Sequence, residues 1–138
     1  MTQKKIVKFP PFKLPSRYTF KGERLEGGQA FVYLCFDEYL KRMVALKTPR
    51  SPVEPESLRK ELAILCEIKS RHIAEVYDLI EARNSDLGIV EEFIPGPTLE
   101  QYVDNEAITE EMFLRILYQI TLVQNKFFDQ MTYFGEVQ

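Results

Sequence analysis

Two short stretches of the 138-residue sequence decide the fold: LEGGQAFVY at residues 25–33 and VALK at residues 44–47. The first places Gly27 and Gly28 before a run of aromatic and β-branched residues, which is typical of a turn that leads into a β-strand. The second is apolar until Lys47, which is typical of a strand that ends at a polar surface. These stretches predict neighbouring antiparallel strands, with a small-residue turn near a strand-end lysine.

Strand and helix patterns extend outward from these stretches. Apolar residues recur at steps of three and four over residues 56–70, which predicts a helix. Five strands are indicated: Tyr18 to about Leu25, residues 31–36, residues 43–47, about residues 75–81 and about residues 87–93. The sequence therefore predicts an α+β fold, a five-stranded antiparallel sheet with one helix packed on it, followed by two more helices.

The two trailing helices have recognisable starts. Thr98 and Gln101 have the spacing of a capping box, which predicts a helix that begins at Thr98. A second start lies at residues 109–111, and the apolar residues after it share one face: Phe113, Ile116, Leu117, Ile120, Val123 and Phe127.

The first 17 residues differ in composition from the rest, because they hold five basic residues, three prolines and no acid. We interpret residues 1–17 either as an extended leader arm that packs through Phe9, Phe12 and Leu14, or as a disordered tail. The predicted organisation is therefore a leader at 1–17, a sheet domain at 18–97 and trailing helices at 98–138.

The composition argues against several classes of protein. The formal net charge is -3, which argues against nucleic acid as a partner. No apolar run approaches the roughly 20 residues that span a bilayer, so we expect no transmembrane segment and no signal peptide. Two cysteines and one histidine make neither a disulfide framework nor a zinc site. We expect a cytoplasmic protein with reduced thiols.

The small-residue turn and Lys47 together indicate a phosphate ligand. Backbone N–H groups of such a turn can approach phosphate oxygens, and a strand-end lysine can reach the same phosphates as a point charge. Glu61, on the predicted helix, is the candidate carboxylate that would hold Lys47 in place as an ion pair.

In these residues the chain resembles the protein kinase family of the Ser/Thr type, over about residues 18–124. VALK is similar to the family's V-A-I-K pattern, with Lys47 as its lysine and Glu61 as its partner on helix C. The resemblance implies a kinase-like N-lobe that binds ATP through these residues: Leu25, Gly27, Gly28, Ala30, Val32, Ala45, Lys47, Glu92 and Ile94. It implies Mg²⁺ for the complete family domain, whose Mg²⁺ ligands are absent from this sequence.

The chain departs from the family's pattern at three places. Of the loop glycines only the middle one is kept, as Gly27, while Leu25 and Ala30 stand at the other positions. Glu91, or Val90 if the register is shifted by one, falls at the gatekeeper position, where a carboxylate is costly to bury unless it is paired or protonated. Neither H-R-D-x-x-x-x-N nor D-F-G occurs, so we expect no phosphotransfer by this chain alone.

Three interpretations stay open. The favoured one is the ATP-binding N-terminal portion of a serine/threonine-type protein kinase, truncated before the catalytic loop. Its partners would be a nucleotide, a protein substrate and a covering C-lobe or partner chain. The alternative is a non-catalytic, pseudokinase-like module that acts by contact with a partner. The third is an α+β domain whose loop resembles the family by accident.

Overall fold

The computed structural model describes residues 8–26, 30–51, 54–83 and 86–136, with the backbone alone for Glu26 and residues 127–136. It has the predicted α+β fold, a five-stranded antiparallel sheet with three helices in the described residues. In chain order the elements are β1 (Tyr18–Glu26), β2 (Ala30–Asp37), β3 (Arg42–Pro49), α1 (Pro55–Glu67), β4 (Val76–Glu81), β5 (Leu87–Glu92), α2 (Leu99–Asn105) and α3 (Glu110–Glu136).

The strand order in the sheet is β1-β2-β3-β5-β4, and every neighbouring pair is antiparallel. Between Phe20 and Arg24 strand β1 has three residues where the facing part of β2 has one, so β1 bulges by two residues. Gly22 lies in this bulge with φ 81°, a left-handed conformation that glycine adopts without steric cost.

Side chains alternate between the two faces of the sheet. One face carries the buried residues Tyr33, Cys35, Val44, Leu46 and Val90, and we call it the arm face. Burial there raises the pKa of the Cys35 thiol to about 11.

The end of the leader packs against the arm face. Phe12 and Leu14 are partly buried against its core cluster, and Phe9 is exposed but meets the Phe20 ring edge-on at 5.6 Å. A Cβ built on Gly88 of β5 would lie 2.8 Å from the Phe12 ring, so the ring sits where only a glycine leaves room. The leader therefore packs on the sheet through Phe12 and Leu14, and residues 1–7 lie outside the described residues.

The helices begin largely where the sequence predicts. At α2 the Thr98 hydroxyl accepts from the Gln101 N–H (3.2 Å) and the Gln101 side chain accepts from the Thr98 N–H (2.9 Å), which confirms the capping box. At α3 the Thr109 hydroxyl accepts from the Met112 N–H at 3.2 Å. Helix α1 ends at Glu67, three residues before the predicted Ser70, where the Ile68 N–H turns back to the Leu65 carbonyl.

The chain divides into two compact units. The first contains the sheet and consists of the chain up to Lys60 with Glu75–Phe93. Within it, Arg59 of α1 forms an ion pair with Glu81 of β4 at 2.6 Å.

The second unit consists of Glu61–Ala74 and the chain from Ile94 onward. Its helix α3 presents an exposed apolar row of Phe113, Leu114, Leu117, Tyr118 and Ile120. Among the described residues, none of the helices combines the length and the apolar character needed to cross a membrane.

Candidate functional site

The candidate site lies on the sheet face opposite the arm face. Strand pairing places Leu25 opposite Val32, Val32 opposite Lys47, and Ala45 opposite Glu91. Directly paired residues of antiparallel strands project from the same side of the sheet. These five residues therefore share one face, which we call the Lys47 face.

Apolar side chains surround the lysine on this face. Ala45 is buried, Val32 is half-buried and Leu25 is exposed, so the surface becomes more open from β3 towards β1. Ile89 of β5 lies opposite Lys47 on its other side. The arrangement therefore places apolar side chains beside the ammonium group of Lys47.

Lys47 forms an ion pair with Glu91 in the structure. The Lys47 side chain is 42% exposed and the Glu91 side chain 13% exposed, so the carboxylate is the more buried partner. The sequence predicts Glu61 as the partner of Lys47. Glu61 is exposed and belongs to the second compact unit, and its pairing with Lys47 stays a prediction.

The register of β5 distinguishes Glu91 from its neighbour Val90. Val90 pairs with Leu46 and is 1% exposed in the core of the arm face. Glu91 pairs with Ala45 on the Lys47 face. Of the two candidates for the gatekeeper position, Glu91 is therefore the one that shares a face with Lys47, and the ion pair offsets the cost of burying its carboxylate.

The remaining predicted site residues stand differently in the structure. The Glu92 N–H donates to the Glu75 carbonyl at 2.8 Å, and a backbone contact of Glu92 to a nucleotide stays a prediction. Ala30 begins β2 and pairs with Pro49, two residues beyond Lys47, so Ala30 lies on the Lys47 face beside Val32. Ile94 is exposed and belongs to the second unit. The predictions for Gly27 and Gly28 lie outside the described residues.

A buried carboxylate on the arm face is the polar feature that sequence reasoning missed. Asp37 is fully buried and accepts from Arg17 through Nε (3.0 Å) and Nη2 (2.7 Å). It also accepts from the backbone N–H groups of Tyr39 and Leu40. These bonds hold the pKa of Asp37 well below its usual range, chiefly because of Arg17. The signal in the sequence is that Asp37 continues the alternation of Tyr33 and Cys35.

A second, partly buried hydrogen bond joins β1 to β4. The Tyr18 hydroxyl donates to Asp78 at 3.0 Å, and burial, with this bond, raises the pKa of Tyr18 to about 12. The Arg42 guanidinium lies 3.6 Å from the centre of the Tyr77 ring. Both contacts fasten β4 to the other strands and leave the Lys47 face untouched.

No protein-family model matches the sequence, and no curated protein matches it. The kinase resemblance therefore depends on the motif residues alone, and the family stays a prediction. Within the described part of the chain, no group of three or more His, Cys, Asp or Glu side chains is arranged to hold a metal ion.

Proposed function

We propose that the first compact unit binds an adenine nucleotide on the Lys47 face, as the ATP-binding part of a kinase-like fold. The observation that carries the proposal is the strand register, which puts Val32, Ala45 and Lys47 on one face. Separate strands thus supply an apolar contact and a cation to the same ligand. The cytoplasmic location and the protein partner expected from the sequence belong to this proposal.

The residues of the Lys47 face fit such a ligand in part. Val32 and Ala45 would contact the base, and the Lys47 ammonium would attract a phosphate. Glu91 weakens the attraction between Lys47 and a phosphate, because its carboxylate already pairs with the Lys47 ammonium. ATP would supply the phosphoryl group, but the 138 residues contain neither catalytic-loop nor D-F-G motif. The proposal therefore covers binding and no phosphotransfer by these residues alone.

The Lys47–Glu91 pair also favours a second candidate function, a non-catalytic kinase-like module that acts through a protein partner. A lysine held by a carboxylate is less available to the phosphates that a catalytic site must orient. In this alternative the Lys47–Glu91 ion pair has a structural role only, and the Lys47 face binds no nucleotide.

Calorimetric titration of the whole chain with ATP–Mg²⁺ tests the proposal. We expect weak binding by the wild type and an affinity lower by about tenfold or more in Lys47→Ala. The variant loses the cation and leaves the Glu91 carboxylate uncompensated beside the phosphates. Lys60→Ala is the matched control, and it should leave ATP affinity unchanged. Lys60 also pairs with a glutamate, Glu56, at 3.9 Å, but both side chains are exposed on helix α1.

Circular dichroism of each variant shows whether the sheet is retained. Equal ATP affinity in folded Lys47→Ala and wild type would contradict the proposed site. Absence of binding in all proteins would favour the non-catalytic module. A radiolabel transfer assay completes the test, since phosphotransfer that depends on Lys47 would contradict the expectation that these residues alone are inactive.

A further inference from the structure

The Lys47–Glu91 ion pair places a negative charge inside the proposed site. The Glu91 carboxylate is the more buried partner, and its cross-strand neighbours are Ala45 on β3 and Val76 on β4. Neither neighbour carries a charge. The Lys47 ammonium, which pairs with Glu91, compensates the charge of this carboxylate.

Strand alternation keeps Glu91 in this position. Val90 and Glu91 project from opposite faces of β5, and Val90 is enclosed in the core with Leu46. To turn Glu91 away, β5 would have to slip by one residue, which would bring Val90 out of the core. The carboxylate thus stays on the Lys47 face whether or not a ligand is bound.

We infer that Glu91 determines how much negative charge a ligand of the Lys47 face can carry, so that the site discriminates little between adenosine and ATP. The inference rests on the proposed function. A triphosphate must compete with Glu91 for the Lys47 ammonium and must approach the carboxylate itself, which repels it. An uncharged nucleoside meets only the apolar contacts of Val32 and Ala45. Glu91 is therefore a specificity-determining residue for ligand charge.

Replacing the charge of Glu91 tests the inference. We expect Glu91→Gln to bind ATP–Mg²⁺ about tenfold more tightly than the wild type, with adenosine affinity unchanged within about twofold. Glu91→Met is a second variant that also removes the hydrogen-bonding group. Glu81→Gln is the matched control, because it removes another strand carboxylate, which pairs with Arg59 and not with Lys47.

A measurement without nucleotide checks the pair itself. Acetylation of individual lysines, followed by mass spectrometry, should be faster at Lys47 in both Glu91 variants than in the wild type. The rate at Lys60 should not change. A purely structural role of Glu91 would alter neither the Lys47 rate nor the ratio of ATP to adenosine affinity, and circular dichroism shows that the variants are folded.

The outcomes separate the inference from the proposed function. A gain for ATP confined to the Glu91 variants supports the inference. Unchanged or weaker ATP binding by folded Glu91→Gln, or an equal gain in Glu81→Gln, overturns the inference and leaves the proposed function standing. If neither ATP nor adenosine binds to the wild type or to any variant, the proposed function fails and the inference fails with it.

Discussion

Asp37 joins two segments that are far apart in the sequence through a single carboxylate. It bonds Arg17 at the end of the leader and the backbone of the β2–β3 connection, where Lys41 adopts a left-handed φ of 53°. An unpaired polar group at this depth would be costly, so the carboxylate is satisfied by several donors at once. The leader and the hairpin are therefore held by one group that can be titrated.

Removal of this charge should destabilise the protein. We expect Asp37→Asn to lower the urea midpoint of unfolding clearly more than Glu38→Gln does. Glu38 is the adjacent acid, and its side chain is partly exposed and lies 3.6 Å from Lys41. The reason is that Asp37→Asn leaves the Arg17 guanidinium without its ionised partner. Equal midpoints for the two variants would contradict a stabilising role for Asp37.

We also expect the wild type and Asp37→Asn to differ in how their stability depends on pH in the acid range. The pKa of Asp37 is lower in the folded protein than in the unfolded chain, because Arg17 and two backbone donors favour the ionised form. Its contribution to stability is therefore complete above about pH 5 and is lost progressively as the pH falls towards the lower pKa of the folded protein. We expect the wild type to lose more stability than Asp37→Asn between about pH 5 and pH 2, measured by urea unfolding at each pH. Parallel losses would contradict this.

The residues that the sequence could place are those fixed by strand alternation. Ala45 and Lys47 share a face because they are two residues apart in one strand, whereas Val32 joins them through the register that pairs β2 with β3. The pairing of Lys47 with Glu91 could not be predicted in this way. Alternation shows that Val90 and Glu91 lie on opposite faces of β5, but not which of them shares a face with Lys47. The Arg17–Asp37 pair was missed for the same physical reason, since it depends on a contact across 20 residues.

At the scale of elements, the leader is held by close packing over β5. Phe12 lies on Gly88, and a Cβ at Gly88 would approach the Phe12 ring at 2.8 Å and the tip of Leu46 at 2.7 Å. Such distances are shorter than a real Cβ contact, so a larger residue at this position must displace a neighbour. The absence of a side chain at Gly88 therefore allows the close contact between Phe12 and the sheet.

We expect Gly88→Ala to destabilise the protein by about 1–3 kcal/mol, because a methyl group would overpack the contact between the leader and β5. In a Phe12→Ala background the same change should cost clearly less, since the ring that it displaces is gone. Urea unfolding of the wild type, both single variants and the double variant measures the coupling. Additive effects would show that the leader does not depend on Gly88.

The element boundaries show where sequence reasoning is strong and where it is weak. The capping box at Thr98 was predicted correctly because it depends on residues three apart. Helix α1 was predicted to continue to Ser70 but ends at Glu67, because apolar periodicity continues through Ile68 after the backbone has left the helix. Periodicity describes which side chains are buried, and the end of a helix depends on its backbone hydrogen bonds.

Across the whole molecule, burial is uneven. The central strand β3 contains Val44, Leu46 and Thr48, which are nearly inaccessible, while α2 has no buried residue and α3 carries exposed apolar side chains. Local opening requires less free energy where fewer apolar contacts are lost. The sheet is therefore expected to be the most stable part of the described chain.

Amide hydrogen exchange tests this expectation. Amides of β2, β3 and β5 should exchange most slowly, those of α2 fastest among the regular elements, and those of α3 at intermediate rates. Measurements at several protein concentrations provide the control. Protection of α3 as strong as that of β3 would contradict the expectation. If α3 amides exchange more slowly at higher protein concentration, a second molecule covers the apolar row of α3.

The two-residue bulge of β1 has a consequence for how the length of this strand can vary. Because the excess is an even number, Phe20 before it and Arg24 after it project from the same side of the sheet, and Leu25 stays beside Val32. Deleting both extra residues would leave every side chain of β1 on its present face of the sheet. Deleting one would move Arg24 and Leu25 each to the opposite face and so exchange their environments. Insertions and deletions in β1 are thus subject to a parity rule, under which related sheets would tolerate length differences of two but not of one.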